Sequence, residues 1–134
     1  MHAENNFHDP RKSLVMVVDD DFSARLQVRA ALEKYGFSVC EAANGEEALI
    51  HLREQTPKLI LLDVGMPEMD GSELVSRIKK KWTNLPIILV SGWGLEECEE
   101  IAAEFQEVWV LEKPVQIPVL EKTLAEIARP ATQS

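Results

Sequence analysis

Short apolar runs and helical segments alternate along this chain five times, and that alternation restricts the fold more than any other feature. Four runs, at 14–18, 59–62, 87–90 and 108–111, are continuously apolar, which is typical of strands buried on both faces of a parallel sheet. A shorter strand is predicted over 37–41. Repeated βα units with short connections predict one parallel α/β sheet with right-handed crossovers and helices on both faces.

The predicted helices have recognisable ends. Gly36 follows the first helix, at the position where a left-handed residue closes a helix. Asn44, with Glu47 three residues later, has the pattern of a capping box at the start of the second. We expect Ser72 to cap the third helix and the fifth to begin near Pro118, since proline suits a first helical turn.

Length and charge narrow the class of protein. The 134 residues suffice for one domain, which we assign to 13–129, with flexible ends at 1–12 and 130–134. A formal charge of −9 argues against binding a nucleic-acid backbone. No apolar stretch approaches the roughly 20 residues of a membrane span, and residues 1–12 lack the apolar core of a signal peptide. We therefore expect a cytoplasmic protein.

The cysteines and histidines have no metal-binding pattern. Cys40 falls in a strand pattern and Cys98 in a helical one, so both are predicted to be buried, reduced thiols. The histidines are scattered and are predicted to lie on the surface: His2, His8 and His51.

Polar side chains follow the predicted strands at the points where the strands end. Asp19 and Asp20 follow the first, Asp63 the third and Ser91 the fourth, while Lys113 lies just beyond the fifth. Because ligands of open α/β sheets bind at the carboxyl ends of the strands, we expect these side chains to meet there. The neighbouring Asp21 is expected to be a helix N-cap beside this group.

The predicted cluster has a specific chemistry. Several carboxylates within a few ångströms repel one another, and a hard divalent cation held by oxygen ligands relieves the repulsion. Such a site suits Mg²⁺, with Mn²⁺ as the alternative ion. An ionised aspartate can also attack phosphorus and become an aspartyl phosphate when cations neutralise the transferred oxygens. Lys113 and the metal are candidates for these cations. Ser91 is a candidate hydroxyl donor to a phosphoryl oxygen.

From Leu14 to about Ile127 the chain resembles a response-regulator receiver domain of bacterial two-component signalling. The resemblance is carried by four segments in order, each at a predicted strand end: Val-Val-Asp-Asp at 17–20, Leu-Asp-Val-Gly-Met-Pro-Glu-Met-Asp-Gly at 62–71, Val-Ser-Gly at 90–92, and Lys-Pro at 113–114. It implies a doubly wound, flavodoxin-like (βα)5 fold with strand order 2-1-3-4-5.

The resemblance also implies roles for individual residues. Asp63 would be the phosphoacceptor and, with Asp20, a direct Mg²⁺ ligand, while Asp19 would act mainly through water. The backbone carbonyl of Gly65 would be a further metal ligand. Ser91 would be the hydroxyl switch residue, and Lys113 the lysine of the site, joined to its proline by a cis peptide bond.

Two positions depart from the family pattern. Ser91 stands where the family often has threonine, which keeps the hydroxyl but allows freer rotation. Val110 occupies the switch position that usually carries tyrosine or phenylalanine, so the aromatic half of the family's switch is missing. Trp109 is one residue earlier, and strand alternation predicts that it faces the opposite side of the sheet.

The resemblance implies a signalling switch that takes a phosphoryl group from a sensor histidine kinase or a histidine phosphotransfer protein onto Asp63. The domain would catalyse only its own phosphorylation and dephosphorylation. It would be either a stand-alone regulator or a piece of a larger regulator or hybrid kinase. One alternative is a pseudo-receiver that acts as an interaction module. Another is a Mg²⁺-dependent phosphatase, but that family has its nucleophile in an Asp-x-Asp pattern at the first strand, and residues 19–22 lack its threonine.

Overall fold

The computed structural model describes residues 13–66, 70–92 and 94–128. Strands and helices alternate through this part of the chain, as predicted. The strands are β1 (Leu14–Val18), β2 (Ser38–Ala42), β3 (Leu59–Asp63), β4 (Ile87–Ser91) and β5 (Val108–Glu112). The helices are α1 (Phe22–Lys34), α2 (Gly45–Glu54), α3 (Gly71–Lys81), α4 (Leu95–Glu104) and α5 (Ile117–Ala128). The predicted flexible ends, 1–12 and 130–134, lie outside the described residues.

The strands form one parallel sheet in the order β2-β1-β3-β4-β5, which confirms the predicted topology. Strand β3 is central, and its last residue, Asp63, lies beside Val90 of β4. At the same edge, Val18 of β1 lies beside Leu62. The carboxyl ends of β1, β3 and β4 therefore lie side by side.

Each face of the sheet has its own core. On one face, side chains such as Ile60, Leu62 and Leu89 pack with residues of α2, α3 and α4. On the other, Leu61 and Ile88 pack with residues of α1 and α5. Because successive side chains of a strand point to opposite faces of the sheet, the position of a residue in its strand determines which of the two cores its side chain joins. Among the described residues, no helix is long and apolar enough to cross a membrane.

The first helix ends where the sequence predicts, with Gly36 at the left-handed position that follows the C-cap Tyr35. Gly36 has φ 98° and closes a Schellman motif, in which its N–H donates to Glu33 and that of Phe37 donates to Leu32. The strand predicted from Phe37 therefore begins at Ser38, because the Phe37 N–H is already used by the helix end. The phenyl ring is buried in the core shared with α1 and α5.

The N-terminal caps confirm two predictions and overturn one. Asp21 caps α1 by accepting from Ser23, and Asn44 caps α2 by accepting from Glu47. The prediction that Ser72 caps α3 is wrong. Asp70 is the cap, because its carboxylate accepts from the backbone N–H groups of Ser72 and Glu73.

A lysine is buried at the end of α3. The Nζ atom of Lys79 donates to the carbonyl of Leu85 at 2.7 Å, and burial lowers the pKa of the ammonium although the charge of Glu107 opposes that shift. The lysine thereby holds the loop between α3 and β4.

We expect Lys79→Ala to reduce the free energy of unfolding by about 1 to 3 kcal/mol, because it removes the donor of a buried carbonyl and the packing of the stem. Denaturant unfolding measures the change. Lys80→Ala, at an exposed position of the same helix, is the matched control and should stay within about 0.5 kcal/mol of wild type. Equal effects in the two variants would contradict this role of Lys79.

Candidate functional site

Four of the predicted side chains come from the ends of adjacent strands. Asp19 directly follows β1, Asp63 ends β3, Ser91 ends β4 and Lys113 directly follows β5. The Nζ atom of Lys113 lies 3.1 Å from Oδ2 of Asp63 and 3.4 Å from Oδ2 of Asp19. Both aspartates are almost completely buried. The predicted convergence is therefore present for Asp19, Asp63 and Lys113.

Asp20 completes a group of three carboxylates. One oxygen from each of Asp19, Asp20 and Asp63 lies within 4.8 Å of the others, and Asp20 is exposed, so the group opens to solvent. An all-oxygen donor set of this kind fits a hard divalent cation such as Mg²⁺. Asp21 is not a member of the group, because its carboxylate caps α1.

Burial, neighbouring charges and hydrogen bonds act in different directions on the pKa values of Asp19 and Lys113. Burial raises the pKa of Asp19, and the nearby charge of Asp63 raises it further, against a backbone hydrogen bond from Asp21. For Lys113, burial favours the neutral amine, but its hydrogen bond to Asp63 and the charges of both aspartates outweigh burial and raise the pKa. Lys113 is therefore positively charged at neutral pH.

One backbone donor and one side-chain donor hold the two oxygens of the Asp63 carboxylate. Its Oδ1 accepts from the Gly65 N–H at 2.9 Å, while Oδ2 accepts from Lys113. The N–H of Lys113 donates to the carbonyl of Ser91 at 2.7 Å, and the Lys113–Pro114 bond is cis, as the resemblance implied. The metal-ligand role of the Gly65 carbonyl stays a prediction.

The two switch candidates lie on the same side of the sheet. Ser91 continues the alternation of Ile87 and Leu89, which face the core under α2, α3 and α4, and it is almost completely buried. Val110 packs against that same core, whereas Trp109 packs on the opposite face, as alternation predicted. Trp109 therefore does not replace the missing aromatic residue.

The structure also assigns a role to two residues that the sequence analysis missed. Arg25 of α1 donates from Nη1 to the backbone carbonyl of Asp19 at 2.6 Å, and its Nε pairs with Glu41 of β2 at 2.8 Å. This pair connects the acidic β1–α1 loop to the neighbouring strand. The available signal was weak: a glutamate near the end of a strand and a basic residue one helical turn beyond Asp21.

Comparisons with known proteins agree with this geometry. Residues 15–125 match the response regulator receiver domain family. The probable transcriptional regulator ycf27 of Porphyra purpurea is 35% identical over 122 residues, which are 90% of this chain and 49% of that protein. The chain thus spans about half the length of this relative.

Two further relatives match over most of their own length. Sporulation initiation phosphotransferase F of Bacillus subtilis (strain 168) is 32% identical over 93 residues, 66% of this chain and 75% of that protein. The solved structure of the chemotaxis protein CheY4 of Vibrio cholerae has a TM-score of 0.79 and 30% identity, covering 86% of this chain and 98% of that one. With the strand order 2-1-3-4-5 and the aspartates gathered at its carboxyl edge, these matches show that the chain belongs to the response regulator receiver domain family.

Proposed function

We propose that this receiver domain is a phosphorylation switch of the cytoplasm. Asp63 accepts a phosphoryl group from a sensor histidine kinase or a histidine phosphotransfer protein, and the modified domain regulates a partner. The observation that carries the proposal is the setting of Asp63, which ends the central strand with Lys113 Nζ at 3.1 Å and two further carboxylates beside it.

The transfer requires an ionised Asp63. One carboxylate oxygen attacks the phosphorus atom, the bond between phosphorus and the donor's histidine nitrogen breaks, and its electron pair stays on that nitrogen. The Gly65 N–H and Lys113 orient the carboxylate for the attack, since each holds one of its oxygens. The charge on Lys113 also attracts the negative oxygens of the incoming group.

The carboxylates of Asp19, Asp20 and Asp63 are the proposed metal ligands, together with the Gly65 carbonyl. Mg²⁺, or Mn²⁺, bound there supplies positive charge that offsets the charge on the transferred oxygens. The three carboxylates fit such an ion because each offers an oxygen within 4.8 Å of the others. Arg25 supports the set by holding the carbonyl of Asp19.

A pseudo-receiver is the second candidate, and Val110 is the residue that favours it. A valine at the switch position has no ring to bury or expose, so the usual aromatic response to phosphorylation is missing. The complete acidic group with Lys113 favours the phosphorylated switch instead. A phosphatase that turns over an external substrate is disfavoured by the family match.

Phosphoramidate with Mg²⁺, followed by intact-mass analysis, separates the three functions. The switch should gain one phosphoryl group, and EDTA should prevent the gain. A pseudo-receiver should gain none while remaining folded, and a phosphatase should instead hydrolyse an added phosphomonoester catalytically. No mass gain in folded, Mg²⁺-containing protein would refute the proposed function.

A further inference from the structure

Strand β2 holds the acidic β1–α1 loop through two connections to Asp19. The first is direct, because the Asp19 N–H donates to the carbonyl of Ala42, the last residue of β2, at 3.1 Å. The second passes through Arg25 of α1, which donates from Nη1 to the Asp19 carbonyl at 2.6 Å and from Nε to Glu41 of β2 at 2.8 Å. Both backbone polar groups of Asp19 are therefore held from the same strand.

The Asp19 carbonyl is important because it belongs to the peptide group that leads to Asp20. A peptide group is planar, so a bond that fixes this carbonyl also fixes the direction in which the chain reaches the Cα atom of Asp20. Asp20 is exposed, whereas Asp19 and Asp63 are almost completely buried. Of the three carboxylates, that of Asp20 is held least by surrounding side chains, so its position depends most on the backbone that carries it.

Glu41 keeps the guanidinium of Arg25 in place. Its two oxygens have separate partners, since Oε1 accepts from Arg25 and Oε2 accepts from Arg29. The hydrogen bonds from these two arginines lower the pKa of Glu41, although burial opposes the shift. Only 14% of the Arg25 side chain and 23% of the Glu41 side chain are exposed, so salt screens this ion pair less than it screens a pair at the surface.

We propose that Arg25 is a positioning residue for the metal site, with Glu41 as the group that orients it. This inference rests on the proposed binding of a divalent cation by the carboxylates of Asp19, Asp20 and Asp63. Arg25 bonds to the backbone of Asp19, so it acts on the carboxylates through the position of the loop. Removing a group that orients metal ligands in this way lowers metal affinity by about tenfold or more.

The sign of the effect separates positioning from charge. Arg25 is a cation beside the proposed Mg²⁺ site, so removing its charge should by itself make Mg²⁺ bind more tightly. Loss of positioning should instead weaken Mg²⁺ binding, because the carboxylates are then gathered less often around the ion. Arg25→Met keeps much of the apolar stem and removes both the charge and the donors. We expect the Kd for Mg²⁺ to rise about tenfold in this variant.

Arg29→Met is the matched control. It removes the same charge one turn further along α1, from an arginine whose ion pairs are with Glu33 and Glu41 rather than with the loop. The Kd for Mg²⁺ should stay within about twofold of the wild-type value.

A double variant, Arg25→Met with Glu41→Met, removes one charge of each sign and leaves the net charge unchanged. It also avoids leaving Glu41 half-buried without its Arg25 partner. If Arg25 acts by positioning, the Kd for Mg²⁺ should again rise about tenfold.

Two amide signals measure these effects without phosphorylation. The N–H of Gly65 donates to Asp63, so its chemical shift during a Mg²⁺ titration gives the Kd for each variant. The N–H of Asp21 donates to the Asp19 carboxylate at 2.9 Å, so its shift reports on the loop before metal is added. In metal-free protein the Asp21 shift should change in Arg25→Met and much less in Arg29→Met.

Three results would overturn the positioning role alone, in a wild-type protein that binds Mg²⁺ and is phosphorylated by phosphoramidate. Arg25→Met might bind Mg²⁺ as tightly as wild type or more tightly. Arg29→Met might lose as much affinity as Arg25→Met. Both variants without Arg25 might fail to fold, which would show that the arginine holds the domain together instead of orienting the loop. A wild-type protein that neither binds Mg²⁺ nor gains a phosphoryl group would overturn the proposed function, and this inference with it.

Discussion

Asp63→Asn should abolish phosphorylation by phosphoramidate in Mg²⁺, while the wild-type protein gains one phosphoryl group. The amide of asparagine lacks the anionic oxygen that attacks phosphorus, yet it has nearly the same size and can still accept from the Gly65 N–H. The variant should therefore stay folded, and the loss should be complete. Intact-mass analysis of both proteins, taken at several times, measures the result.

Asp70→Asn is the matched control for this substitution. It makes the same chemical change, but at a carboxylate that caps α3, and asparagine is an equally good cap. Phosphorylation should persist in the control. Wild-type levels of label in Asp63→Asn would show that another residue is the acceptor, and peptide mapping would then have to locate it.

Mg²⁺ should raise the melting temperature of the wild-type protein by about 5 to 10 °C at a concentration near 100 times its Kd. The physical reason is linkage: the ion binds carboxylates that are gathered only in the folded chain, and about 2.7 kcal/mol is added at that concentration. NaCl at equal ionic strength serves as the control, since simple screening should give a much smaller rise. Thermal unfolding followed by circular dichroism measures both.

Asp20→Asn should reduce the Mg²⁺ effect. In metal-free buffer the same variant should melt slightly higher than wild type, because one of three mutually repelling carboxylates has been neutralised. Two results together would show that the acidic group is not a functional metal site. The wild-type melting temperature would not respond to Mg²⁺, and the melting temperature of Asp20→Asn would rise only because repulsion is relieved.

Much of the fold and the site could be predicted because the relevant signals are local. The strand ends were predicted to within one residue, since continuous apolar runs stop at Asp63, Ser91 and the residues before Lys113. The parallel arrangement then requires these polar ends to share one edge, so the approach of Lys113 to Asp63 followed from topology.

Other features depended on how helices lie over the sheet, which a single sequence does not encode locally. The helical pattern predicted that Cys98 is buried, but not that it joins the same core as Leu62 and Leu89, because that requires the position of α4 over the sheet. The bond from Arg25 to Asp19 likewise requires the packing of α1 beside the β1 end.

The sequence by itself therefore determined the order of the elements and the polar residues at the strand ends. Only the tertiary structure decided which side chains meet across elements, including the burial of Lys79 against the loop before β4. The physical reason is that hydrophobic periodicity specifies a face within one element, whereas hydrogen bonds between elements depend on distances of a few tenths of an ångström set by the packing of the whole core.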